Sequence, residues 1–121
     1  MNAAGNAGTP VAQANTEEEI MVAVDEAREA IKLRDALMAL EKNENFRLLI
    51  HERYFKGESA RLVMLKISNL NVDQQKNVDK LMCGISGLNN FFQTILSQGD
   101  QMEQALETYE KELDLVREEE L

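Results

Sequence analysis

Residues 78–116, VDKLMCGISGLNNFFQTILSQGDQMEQALETYEKELDLV, decide the fold. Along this stretch Val78, Leu81, Ile85, Leu88, Phe92, Ile95, Gly99, Met102, Leu106, Tyr109, Leu113 and Val116 fall alternately three and four residues apart without a slip. All of these except Gly99 are large and apolar, and a repeat sustained this long reads as a coiled-coil-like helix that needs a partner along its seam. The partner is either the first helix of the same chain folded back or the same helix of another copy. Val78, Leu81, Ile85, Leu88, Phe92, Ile95, Met102, Leu106, Tyr109, Leu113 and Val116 are therefore the expected helix-pairing interface. Gly99 leaves a choice between one long helix with a weak point and two helices, the second capped by Asp100. A mid-helix glycine costs roughly 1 kcal/mol against alanine, and Asp100 with Glu103 makes a good helix start. A break or bend is favoured, and the heptad phase running through Gly99 keeps it small.

Upstream, Thr16 and Glu19 have the spacing of a capping box, with Glu17 and Glu18 at the positive end of the dipole, so the first helix starts near Glu17. Ala23, Ala27, Ala30, Ile31, Leu33, Leu37 and Leu40 recur at helical spacing, small residues first and leucines later. Asn43 and Asn45 interrupt the run, and either can cap a second, short helix carrying Phe46, Leu49, Ile50 and Tyr54. Lys56 and Gly57 end it, and a turn is predicted there. Leu62, Val63, Met64, Leu65 and Ile67 form a third helix, apolar over most of its circumference, which predicts burial on more than one side. Asn69, Asn71 and Asp73 supply the next break, with Asn71 and Gln74 spaced as a capping pair. Residues 1–15, rich in Ala, Gly and Asn, bury too little to offset ordering and read as a flexible N-terminal arm. The chain is thus all-α, with a single helical domain over 16–121, arranged as a helical hairpin or small bundle with a long C-terminal helix.

Composition agrees: 121 residues give room for one small core, and 44% hydrophobic against 29% charged residues excludes a mainly disordered chain. No apolar run reaches the length of a bilayer span, so no membrane partner is expected. The net charge of −9 is uneven, because residues 98–121 hold 9 acidic and 2 basic side chains. Such a segment repels phosphate, so direct nucleic-acid binding is not expected. Cys83 has no second cysteine to pair with, and no signal peptide follows Met1, which gives an intracellular expectation. His51 is the only histidine and Cys83 the only cysteine, so no cluster of such ligands for a metal is expected. Neither a phosphate loop nor a nucleophile with its base is visible, so no catalytic residue, cofactor, metal or enzymatic activity is expected.

Three features bear on partners. Gly84 and Gly87, beside Cys83, read as close-packing glycines under a helix crossing, or as a hinge. Phe91 lies off the seam and either packs on the short helices or anchors a partner protein, and Tyr54, Phe55 and Arg61 have the same two readings. Glu103, Glu107, Glu110, Glu112, Asp114, Glu118, Glu119 and Glu120 put negative charge at the negative end of the dipole, where local stability does not explain it. They are either a solvated end or an acidic docking surface for a basic protein.

Ala36, Leu37, Leu40, Asn43, Phe46, Leu49 and Ile50, then Tyr54-Phe55-Lys56, Ala60-Arg61-Leu62-Val63 and Leu65, make a pattern that resembles a small α-helical protein of tailed bacteriophages. Ile85-Ser86-Gly87-Leu88, Phe92, Ile95, Ala105-Leu106 and Tyr109-Glu110 extend the resemblance over residues 25 to 116. It implies a protein encoded among structural and head-assembly genes, made in the host cytoplasm and a candidate virion component, with no catalytic residues to carry over. The expected function is a non-enzymatic structural or assembly protein that self-associates as a homo-oligomer or docks on another virion or assembly protein. The rival is an acidic inhibitor or adaptor that mimics DNA and binds a basic host nucleic-acid-processing protein.

Overall fold

Helix boundaries in this chain are set by short polar side chains. The structure, a computed structural model, describes residues 16–120, so the predicted N-terminal arm lies outside the described residues. The first helix, α1, spans Glu17–Glu41. Thr16 Oγ1 accepts from the Glu19 amide at 3.1 Å and donates to the Glu19 carboxylate at 2.7 Å. The capping box is therefore closed side chain to side chain. Asn43 Oδ1 then accepts from the Phe46 amide at 3.0 Å and starts α2, which covers residues 44–66.

α2 joins what the sequence divides into two helices. It begins as an α-turn at Glu44–Phe46, widens into a π-helix over Arg47–Glu58, and returns to α over Ser59–Lys66. The turn predicted at Lys56 and Gly57 does not form, and no described glycine has a positive φ. A Cβ at Gly57 would sit 3.3 Å from the Glu52 carbonyl oxygen, so this glycine gives room inside the wide helix rather than ending it. After Lys66 the chain turns, and α3 spans Val72–Glu119. Its start is reciprocally capped: Asn71 Oδ1 accepts from the Gln74 amide at 2.8 Å, and the Asn71 amide donates to Gln74 Oε1 at 3.0 Å. α3 is one helix through Gly99, so the favoured break does not occur. Gly99 is buried, and burial at an unbroken seam outweighs the roughly 1 kcal/mol propensity cost of a glycine there.

The chain divides into two compact units: a terminal unit, from the described part of residues 1–32 with 98–121, and a central unit, residues 33–97. In the terminal unit α1 packs on the C-terminal part of α3. Ile20, Val24 and Ala27, at helical spacing, are buried, and the seam residues Met102, Leu106, Tyr109, Leu113 and Val116 are half-buried. Arg117 pairs with Glu17 at 2.9 Å and Arg28 with Glu110 at 3.1 Å, so the two helices run antiparallel.

In the central unit α2 covers the seam. Leu62, Val78 and Ile85 form the core, with Tyr54, Phe55, Leu65, Leu70 and Met82 packed against it. Leu81 departs from the expected interface: it is exposed, and the adjacent Met82 packs inward instead. Both residues fit the three-and-four alternation, and contact with the Leu62 cluster selects the methionine. The third predicted helix, now the end of α2, buries only Leu62. Val63, Met64 and Ile67 are exposed, against the expectation of burial on several sides.

Candidate interaction surface

Charge is segregated between the units. The terminal unit carries 15 acidic and 4 basic residues, and the central unit 7 acidic and 9 basic. The acidic excess belongs to the N-terminal part of α1 as much as to the C-terminal end, because Glu17, Glu18, Glu19, Asp25, Glu26 and Glu29 join the later acids in one unit.

Ion pairing sharpens the division. In the central unit the carboxylates of Asp35, Glu52, Glu58 and Asp79 pair with Arg34, Lys56, Arg61 and Lys66 respectively, and Glu41 lies 3.4 Å from His51 Nε2. Arg47, Arg53, Lys76 and Lys80 have no ion partner within 4 Å among the described residues. In the terminal unit the position is reversed, with Glu18, Asp25, Glu26 and Glu29 exposed on α1 and without such a partner. The hydrogen bond from Arg61, at 2.6 and 2.8 Å from the two Glu58 oxygens, holds the Glu58 carboxyl below its ordinary value.

The acidic residues singled out by sequence do not share one role. Glu110 ties α3 to Arg28, Glu107 faces Lys111 at 3.9 Å, and Glu103 is also engaged. Glu112 is half-buried, with one oxygen turned from solvent. Asp114, Glu118, Glu119 and Glu120 are exposed. The acidic face of α1 was missed because those residues read as ordinary helix-start and solvent positions until α1 is paired with residues 98–121.

Apolar exposure follows the opposite pattern. Of 14 large hydrophobic side chains exposed among the described residues, 11 lie in the central unit, including Leu48, Leu49, Met64, Ile67 and Phe91. Phe91 is 59% exposed, with its ring 6.2 Å from that of Phe92, so it does not bury on α2. Phe92 meets Phe46 and Phe55 at 5.9 and 6.1 Å, and His51 sits edge-on to Phe46 and Phe55. An apolar groove of about 370 Å³ runs between Phe55, Ser59 and Val63 of α2 and Met82, Ile85, Ser86 and Asn89 of α3.

The two glycines differ in what faces them. A Cβ at Gly84 would meet the Tyr54 hydroxyl at 3.7 Å, and one at Gly87 would meet nothing within 4 Å. Gly84 therefore faces Tyr54 of α2, Gly87 is open among the described residues, and Cys83 is exposed rather than covered by a crossing. Among the described residues no three His, Cys, Asp or Glu side chains gather as a metal site requires, and no helix is long and apolar enough to cross a membrane. No known protein family, curated protein or solved structure matches the chain.

Proposed function

We propose that the protein is a non-enzymatic structural or assembly component, of the kind encoded among phage head-assembly genes, that works through helix–helix contacts with further copies of itself. The observation that carries this reading is the concentration of exposed apolar side chains on the central unit. Scattered single hydrophobics are ordinary on a surface, but a crowded set on one unit marks a protein interface. Within the chain α1 and α2 pack on the heptad seam, so the exposed side chains beyond it are the surface available to a further copy.

Light scattering behind size-exclusion chromatography, at two protein and two salt concentrations, tests the reading. A mass above 13.7 kDa that rises with protein concentration is expected. A monomer under every condition removes self-association. The unpaired acids of the terminal unit favour a second reading, an acidic adaptor that occupies the basic groove of a nucleic-acid-processing protein. That reading requires inhibition of such an enzyme that is weakened by salt and by Asp114→Asn with Glu118→Gln and Glu119→Gln. Inhibition unchanged by these neutralisations counts against it.

A further inference from the structure

Two helix faces that turn away from the buried residues of their own helices complement each other. On α3, Lys76, Lys80, Gly84, Gly87 and Phe91 follow one another at steps of four, four, three and four, and all five are exposed. At about 100° per residue they fall within one face roughly 80° wide, opposite Val78, Ile85 and Phe92. From its N-terminal end this face offers the exposed Asp73, two cations without an ion partner, Gly84 beside the Tyr54 hydroxyl, the open Gly87 and an exposed aromatic ring. On α1, Glu18, Asp25, Glu26 and Glu29 share a face about 100° wide with the exposed Val22, opposite the buried Ile20, Val24 and Ala27.

We propose that the Lys76–Phe91 face of α3 docks the acidic face of α1 from a second copy of this chain. The docking rests on the self-association proposed above and names the surfaces that carry it. Charge complementarity selects the occupant: the chain presents an unpaired acidic helix face on one unit and an unpaired basic one on the other. A second copy therefore brings the matching partner. Gly87 lets the incoming helix approach closely, Lys76 and Lys80 meet its carboxylates, and Phe91 covers its apolar edge. Because the two faces differ, the contact is head-to-tail: a dimer keeps one unused face of each kind, and association continues beyond it unless a ring closes.

The test uses the full chain in two charge-reversed forms, Lys76→Glu with Lys80→Glu and Asp25→Lys with Glu29→Lys. All four positions are exposed, so both forms stay helical by circular dichroism. Light scattering at low salt is expected to give oligomers for the wild type and monomers for each form alone. An equimolar mixture of the two forms is expected to regain association, since one form keeps the acidic face, the other keeps the basic face, and the two reversed faces are again opposite in charge. Gly87→Gln, at a position where a Cβ meets nothing within 4 Å among the described residues, is expected to keep the fold and lose the association. Cys83 gives an independent readout, because its alkylation slows as the associated fraction grows.

Reversed forms that keep the wild-type mass, or a mixture that stays monomeric, overturn the docking while leaving self-association standing. A wild-type chain that is monomeric throughout overturns both. Association lost in each form alone and regained only in the mixture establishes the head-to-tail contact.

Discussion

One heptad repeat meets two different partners along its length, and the two halves are finished differently. From Gln98 onward α3 is covered by α1, with Ile20, Val24 and Ala27 buried and with Arg28 and Arg117 bridging the helices to carboxylates at the rim. Over Val78 to Phe92 it is covered by α2, whose wide π-helical middle brings Tyr54 and Phe55 to the seam but leaves Leu48, Leu49, Met64 and Ile67 outside. The terminal unit exposes few large apolar groups and shows unpaired acid; the central unit pairs most of its acids and shows more apolar surface. An uninterrupted heptad thus specifies that a helix is covered, but neither what covers it nor what the covering leaves exposed.

The largest effects come from the two cores. Leu62→Ala in the central unit and Ile20→Ala in the terminal unit each remove a fully buried branched side chain, and each should cost about 2–5 kcal/mol. Hydrogen exchange followed by mass spectrometry separates them. Leu62→Ala should lose protection first at 59–66 and 78–89, and Ile20→Ala at 17–32 and 102–116. Identical exchange maps for the two variants would erase the distinction between the units and show one cooperative block.

Next come the caps. Asn71→Ala removes the acceptor that starts the longest helix, and Thr16→Ala removes the one that starts α1. Each should cost about 1 kcal/mol in denaturant unfolding. Asn71→Asp should retain most of the stability, since a carboxylate accepts the same Gln74 amide and suits the helix N-terminus. An alanine variant as stable as the wild type would mean that the capping bonds add nothing beyond what water supplies.

These caps were the most legible part of the chain, because a short polar side chain three residues before a free amide has one local use. Thr16, Asn43 and Asn71 all do what their spacing says. Less legible were features decided by contacts distant in sequence. Gly57 reads as a helix end, yet the helix widens around it, and nothing in a local window separates a π-turn from a stop. Leu81 and Met82 are adjacent apolar residues that satisfy the same periodicity, and only the position of Leu62 chooses between them. Gly99 has the appearance of a break when weighed by propensity, but its burial on the seam is a tertiary fact. The candidate surface was visible only in pieces: Phe91, Gly84 and Gly87 drew attention by sequence, whereas Lys76, Lys80 and the acidic face of α1 gain meaning from the division into units. Legibility therefore declines from local hydrogen bonding, through helix periodicity, to the surface left after folding.

The smallest effect concerns the ion pairs, whose geometry differs between the units. Arg28 to Glu110 and Arg117 to Glu17 join two helices, whereas Glu58 and Arg61 are neighbours on α2. The Arg61 hydrogen bond lowers the Glu58 carboxyl in the folded chain below its ordinary value of 4.5. A group whose folded value is depressed adds stability above its unfolded value and loses it as pH falls through the folded one. Melting temperatures of the wild type and Glu58→Gln should therefore coincide at the acid end and separate slightly at and above pH 4.5, the wild type being the more stable. The pair is exposed, so water screens it and the gap stays small. Salt should close that gap, because only a charge-dependent contact is screened. A gap of the same size at pH 2 and pH 7, or one indifferent to salt, would assign the effect of Glu58→Gln to helix propensity rather than to the bond with Arg61.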